Sequence, residues 1–76
     1  MTFSEAIREI RQYNFLSQEK FAKVLGVSFS TVNRWEKGRA IPNCITMQRI
    51  AKYCKDNNID FKKADCAWKS IKNANG

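Results

Sequence analysis

The chain has 76 residues, of which 43% are apolar and 28% are charged, with 14 Lys and Arg residues against 7 Asp and Glu residues. This length predicts one small globular domain, leaves little room for an enzyme with a buried substrate pocket, and includes no apolar run long enough to cross a membrane. The net charge of +7 indicates a polyanionic partner, of which nucleic acid is the most common.

Cysteine usage and the N-terminal segment narrow the class further. Cys44, Cys54 and Cys66 are odd in number, no histidine is present, and their spacing fits no zinc-ligand pattern. We therefore expect reduced cysteines in a cytoplasmic protein, with no metal and no cofactor. The opening segment MTFSEAIREIRQ has no apolar centre flanked by basic residues, so it is not expected to be a signal peptide.

Apolar residues recur with a period near 3.6 and strand-type alternation is absent, which predicts an all-α chain. The first predicted helix covers about residues 2–13, with Thr2 or Ser4 as its N-cap. Asn14 is expected to end this helix because asparagine tolerates the left-handed conformation. The apolar stripe of the helix has the spacing i, i+3, i+4, i+7 and consists of Phe3, Ala6, Ile7 and Ile10.

The second and third predicted helices each begin at a serine N-cap and end at a glycine. The second starts after Ser17 and stops at Gly26, and the third starts at Ser28 and ends before Gly38. The side of the second helix that is expected to be buried consists of Phe21, Ala22, Val24 and Leu25.

Two further helices follow a loop that contains Pro42, so a compact bundle of four or five helices is expected. Asn43 is the expected N-cap of the fourth, about residues 44–55, and Asp60 that of the fifth, about residues 61–72. The tail, NANG, is expected to fray. The predicted apolar faces are Met47, Ile50, Ala51 and Cys54 in the fourth helix, and Phe61, Ala64, Trp68 and Ile71 in the fifth, where Trp68 packs on the first helix or lies in a dimer contact.

The connection between the second and third helices is too short for an antiparallel pair, so the two must cross steeply. Ala22 supplies a small residue where the helices touch, and Gly26 supplies a turn position that accepts positive φ. Val32 and Trp35 supply the inner side of the third helix. The pattern predicts a helix-turn-helix.

Residues 18–37, QEKFAKVLGVSFSTVNRWEK, resemble the helix-turn-helix of the phage repressor and Cro-like (XRE-type) family. The resemblance extends from about Ile7 to Phe61 and includes LSQ at 16–18, WEKG at 35–38 and Pro42. It implies a bundle of the lambda-repressor-like type with a DNA-binding domain over 1–61. Residues 62–76 are then a C-terminal helix and tail that belong to the same domain or form a dimer contact.

On a helical wheel with about 100° per residue, the third helix separates a packing side from an outer arc that suits the major groove of DNA. Arg34 is a candidate to bind guanine O6 and N7, Asn33 to bind adenine N6 and N7, and Phe29 to contact a thymine methyl group. Ser30 is a candidate for a base or a phosphate, and Ser28 for a phosphate. The neighbouring basic residues that are candidates to bind phosphates are Lys37 and Arg39. Lys20 and Lys23 are weaker candidates, because a lysine on a helix surface is usually only solvated.

The resemblance itself implies two further roles. Gln18 is expected to contact a phosphate and to brace the third helix. Arg11 and Glu36 are expected to form an ion pair that ties the first helix to the end of the third, which fixes the orientation of the third helix without touching DNA.

Two functions are consistent with these features. The first is a sequence-specific regulator of transcription, expected to be a repressor that occupies an operator as a homodimer on double-stranded DNA. The second is a protein-interaction module of the same fold, such as the antitoxin partner of a toxin, in which case the segment after Phe61 leaves an apolar patch for its partner. A membrane-surface protein is excluded because the basic residues do not share one face of a helix opposite an apolar face.

Overall fold

The computed structural model describes residues 1–74. In this part of the chain there are five helices and no strand: α1 (Phe3–Tyr13), α2 (Gln18–Leu25), α3 (Phe29–Glu36), α4 (Cys44–Asp56) and α5 (Lys62–Ala74). The all-α bundle predicted from the sequence is therefore confirmed, with five helices in these residues. Part of the tail that is expected to fray lies outside the described residues.

Four of the helices begin at the N-caps expected from the sequence: Thr2, Ser17, Ser28 and Asn43. In each case the side-chain oxygen accepts a hydrogen bond from the backbone amide three residues further on, which satisfies one of the free donors of the first turn. Of the two candidates in α1, Thr2 is the N-cap, and its own backbone amide donates to Glu5 Oε1 at 3.0 Å, which completes a capping box.

Helices α1 to α4 all end in the same backbone motif. At each end, the residue with positive φ donates to the carbonyl three residues back, and the next residue donates to the carbonyl five residues back, as in a Schellman motif. This geometry requires a left-handed residue, and glycine supplies it at least cost. The residues with positive φ at the four ends are Phe15, Gly26, Gly38 and Asn58.

The prediction that Asn14 adopts the left-handed conformation is wrong. Asn14 ends α1 with φ −103°, and the following residue, Phe15, takes the left-handed conformation with φ 58°. The side chain of Asn14 has another use, because its Nδ2 donates to the Tyr53 hydroxyl at 2.9 Å and to Asn57 Oδ1 at 3.0 Å. Asn14 therefore ties the end of α1 to the end of α4.

The core draws side chains from all five helices. Phe21, Ile7, Ile50, Val32 and Cys54 are the largest fully buried side chains. Burial, together with the charge of Asp60, raises the pKa of the Cys54 thiol to about 11, so this thiol stays protonated. All three cysteines are free.

Helix α5 is anchored to the loop that follows α3. Ala64 and Trp68 are buried in the core, and the Trp68 indole Nε1 donates to the Pro42 carbonyl at 2.7 Å. Helix α5 also packs along α1. The loop is thereby fixed to α5 at Pro42.

The prediction that Val24 belongs to the buried face of α2 is wrong. The side chain is 54% exposed, whereas Phe21, Ala22 and Leu25 are buried. Measured from Phe21 on the helical wheel, Leu25 lies at about 40° and Ala22 at about 100°, but Val24 lies about 60° on the other side. The buried arc of α2 is therefore narrower than the run of apolar residues suggests.

Across residues 1–74, none of the five helices is both long enough and apolar enough to cross a membrane.

Candidate nucleic-acid interface

Helices α2 and α3 are joined by the three residues 26–28 and pack against each other. Gly26 has φ 72°, and the Val27 amide donates to the Ala22 carbonyl at 2.9 Å, which closes the end of α2. Arg49 of α4 also stabilises this turn, because its Nη1 donates to the Leu25 carbonyl at 3.3 Å. The turn that was expected from Ala22 and Gly26 is therefore fixed by backbone bonds and by one side chain of α4.

The inner side of α3 is held by two residues. Val32 and Trp35 are fully or almost fully buried in the core. They define which side of this short helix faces the bundle, so the residues on the opposite arc face away from it.

The outer arc of α3 and the loop after it carry an exposed set of basic and apolar side chains. Phe29 is 48% exposed, an unusual position for phenylalanine. Ser30 and Arg34 are exposed beside it, and Asn33 is half-buried.

Basic residues outside α3 extend this exposed set. Lys37 and Arg39 are exposed after the helix, and Lys20 and Lys23 are exposed on α2. Within residues 1–74, the side chains of Arg34, Lys37 and Arg39 form no hydrogen bond or ion pair.

Glu36 is the buried charge at the end of α3. Arg11 holds it with two bonds, from Nε to Oε2 at 2.6 Å and from Nη2 to Oε1 at 2.8 Å. Burial by itself raises the pKa of Glu36, but hydrogen bonds from Arg11 and Gln18 and the charge of Arg11 outweigh it and hold the pKa below its ordinary value. Glu36 is therefore ionised at neutral pH and tied to α1.

The pairing of Glu36 has an electrostatic consequence for the surface. Glu36 is the one acidic residue between positions 34 and 55, and its side chain is only 2% exposed. Its charge is buried and compensated by Arg11, whereas the nearby cationic groups remain in solvent. The surface around α3 is accordingly positive.

Arg8 is a member of this cluster that the sequence reasoning missed. Its Nη2 donates to the Glu36 carbonyl at 3.1 Å, and its Nε lies 3.4 Å from Glu36 Oε1. The signal was present in the sequence, since Arg8 and Arg11 are three residues apart and so share a face of α1.

Gln18 connects the buried carboxylate to the outer arc. Its Nε2 donates to Glu36 Oε1 at 3.2 Å, and its Oε1 accepts from Asn33 Nδ2 at 3.1 Å. The predicted brace between α2 and α3 is therefore visible as two hydrogen bonds. The bond to Asn33 was not expected, because an amide–amide contact across two helices leaves no periodic signal in the sequence.

Ser28 has a structural task at the start of α3. Its Oγ accepts from the Thr31 amide at 3.1 Å and shares hydrogen bonds with the hydroxyls of Ser30 and Thr31. The hydroxyl is thus used within the first turn, and the free backbone amides of that turn are the groups left for an anion.

A family model described as helix-turn-helix matches residues 7–60 of the chain, nearly the same range as the resemblance found in the sequence. No solved structure matches the chain.

Two curated relatives match part of the chain. One is the HTH-type transcriptional activator BcrR of Enterococcus faecalis, which is 34% identical over 53 residues, covering 70% of this chain and 26% of the relative. The other is the cryptic phage CTXphi transcriptional repressor RstR of Vibrio cholerae, which is 37% identical over 51 residues, covering 67% of this chain and 46% of the relative. The chain therefore spans less than half the length of either relative.

Proposed function

This chain belongs to the helix-turn-helix family, and from that membership we propose that it binds double-stranded DNA in a sequence-specific way and regulates transcription. Both relatives are named as regulators of transcription, one an activator and the other a repressor. Neither name supports the alternative of an antitoxin. Binding to an operator requires no chemical step, so no enzymatic activity is part of the proposal.

The observation that carries the proposal is the outer arc of α3. Phe29 and Arg34 are exposed there and Lys37 is exposed directly after the helix, while Val32 and Trp35 fix the opposite side in the core. An α-helix fits the major groove, where each base pair presents a distinct pattern of donors, acceptors and methyl groups. A buried, paired Glu36 leaves this arc without an exposed negative charge that would repel phosphates.

We assign roles to the outer arc on chemical grounds. Arg34 binds the two acceptors of guanine, Asn33 binds adenine, and Phe29 contacts a thymine methyl group. Lys37 and Arg39 bind phosphates beside the groove, together with the first-turn amides of α3 and the remaining Gln18 N–H group. Ser30 contacts a base edge or a phosphate.

We propose that the protein acts as a homodimer on DNA, in the cytoplasm, and represses by occupying its operator. One domain of this size makes few base contacts, so two copies on half-sites about 34–36 Å apart supply the affinity that one lacks. Occupancy of a site that overlaps a promoter excludes polymerase, which makes repression the simplest outcome of binding.

Selection of binding sites from random duplexes with the purified protein tests the proposal. The expected result is a consensus with twofold symmetry and half-sites one helical turn apart, with a promoter carrying that consensus transcribed less in the presence of the protein. Failure to retain any duplex at low ionic strength would overturn DNA binding. A consensus without repression would overturn only the direction of regulation.

A further inference from the structure

A chain of hydrogen bonds runs from the ion pair at the end of α3 to its outer arc. Glu36 Oε1 accepts from Gln18 Nε2 at 3.2 Å, and Gln18 Oε1 accepts from Asn33 Nδ2 at 3.1 Å. One amide side chain, that of Gln18, therefore separates the buried carboxylate of Glu36 from Asn33, the residue that we place against DNA.

The carboxylate sets the direction of this chain. An ionised carboxylate can only accept hydrogen bonds, so Gln18 must turn its NH2 group toward Glu36. Its oxygen then faces Asn33, which must in turn present its own NH2 group. Reversing either amide would place two oxygens against each other, so one charged group determines the orientation of both amides.

The orientation leaves one atom of Asn33 open. No described residue donates a hydrogen bond to Asn33 Oδ1, although Asn33 is half-buried. Within residues 1–74, no buried side-chain nitrogen or oxygen lacks a partner, so Oδ1 must be accessible to solvent. Asn33 thus presents an acceptor, with its second N–H as the accompanying donor.

We infer that Glu36, acting through Gln18, fixes the amide of Asn33 so that its Oδ1 faces the DNA and selects a base whose amino group lies in the major groove, adenine above all. Gln18 is then a positioning residue for specificity. The inference rests on the proposed function.

The base chemistry follows from what each edge displays. Adenine offers its N6 amino group to Oδ1 and its N7 to the second N–H of Asn33, whereas cytosine offers only an amino group. Guanine presents two acceptors, O6 and N7, and one of them would face Oδ1. An amide held in one orientation rejects guanine more strongly than one that is free to turn.

The test compares affinities for every single base-pair substitution of the selected site at one salt concentration. Asn33→Ala identifies the base pair that Asn33 contacts, which should be A·T. Gln18→Met has a similar length but no amide, and it should lower discrimination against G·C at that same pair about tenfold, or about 1.4 kcal/mol. Ratios at the other pairs should remain, and Gln48→Met, an exposed glutamine of α4, should leave every ratio unchanged.

Uniform weakening across all sites by Gln18→Met, with discrimination at the Asn33 pair retained, would overturn the inference, since that is what loss of a phosphate contact or of stability produces. A loss of preference at a G·C pair in Asn33→Ala would also overturn it. In both cases the wild-type protein still binds DNA, so the proposed function stands.

A measurement on the free wild-type protein makes the result independent of how the variants fold. The side-chain amide protons of Asn33 should exchange with water more slowly than those of Gln48, because one of them is held by Gln18. Equal exchange rates would contradict the fixed amide.

Discussion

Arg11 of α1 and Glu36 at the end of α3 are joined by two hydrogen bonds of 2.6 and 2.8 Å. The pair crosses 25 residues of sequence, and the Arg11 side chain is 13% exposed. Its Nη1 also donates to the Leu16 carbonyl at 2.8 Å, so a single guanidinium fixes both α3 and the turn before α2. This bonding fixes the orientation of α3 relative to the rest of the bundle.

Substitution of Arg11 should therefore be far more costly than substitution of Arg8. Arg11→Met leaves a buried carboxylate without its main partner and should lower the free energy of unfolding by about 3–5 kcal/mol. Arg8→Met is the matched control, since Arg8 also contacts Glu36 but its side chain is 48% exposed, and it should cost about 1 kcal/mol or less. Urea unfolding measures both, and equal losses would contradict the central role of Arg11.

Stability should fall in acid because of Glu36. The pKa of this group is lower in the folded state than its ordinary value of 4.5, so the unfolded chain binds more protons between the two values. The stabilisation is fully present above pH 4.5 and is lost as the pH falls through the folded-state pKa.

Urea unfolding from pH 7 to pH 3 checks this, with a contribution from one carboxyl of at most about 1.4 kcal/mol per pH unit. Glu36→Gln should flatten the dependence. Thr2 holds the pKa of Glu5 down as well, through a backbone and a side-chain hydrogen bond, so Glu5→Gln serves as the comparison for an exposed group. A Glu36→Gln variant with an unchanged pH profile would refute the assignment.

The two glycines with positive φ should differ in their tolerance of a methyl group. A Cβ on Gly26 would lie 3.3 Å from Arg49 Nη1, whereas a Cβ on Gly38 would meet nothing within 4 Å. Gly38→Ala should cost only the left-handed conformation, about 1–2 kcal/mol, and Gly26→Ala should cost more because it also disturbs the bond from Arg49 to Leu25. Thermal unfolding of the two variants decides, and a larger loss for Gly38→Ala would contradict the prediction.

Phe15→Gly should make the protein more stable. Phe15 is left-handed and 96% exposed, so the substitution relieves an unfavourable backbone conformation and removes almost no buried surface. We expect a gain of about 0.5–1 kcal/mol in the free energy of unfolding. Phe15→Ala keeps the backbone strain and should give no such gain, which separates the two causes.

Arg34 and Lys37 should affect DNA binding in different ways. Arg34→Ala should relax preference at one base pair and cost about 1–3 kcal/mol, whereas Lys37→Ala should weaken binding evenly and lower the salt slope by about one. Lys62→Ala, an exposed lysine of α5, removes the same charge outside the proposed interface and should change neither. Binding titrations over a range of salt concentrations distinguish these outcomes.

Local signals were sufficient to predict the helices. Side-chain caps and glycine ends act within a few residues, so the N-caps at Ser17, Ser28 and Asn43 and the end at Gly26 could be found in the sequence alone. The left-handed conformation of Phe15 could not, because the end of α1 requires it there and phenylalanine has no local preference for it.

The candidate site shows the same division. The helical wheel was enough to separate Phe29 and Arg34 from Val32 and Trp35, since a rigid helix has fixed faces. Val24 was placed wrongly because apolar character alone does not show where the buried arc of a two-turn helix ends. The bond between Gln18 and Asn33 depends on the distance between two helices, which a one-dimensional pattern does not contain.

The bond between Trp68 of α5 and Pro42 determines which residues a fusion protein must include to carry this domain. The family match ends at residue 60, before α5 begins. A fragment cut at that boundary would remove the helix that packs against α1 and leave the Pro42 carbonyl without its donor. A fusion that carries this domain should therefore include α5, even though every proposed DNA contact lies within the first 39 residues.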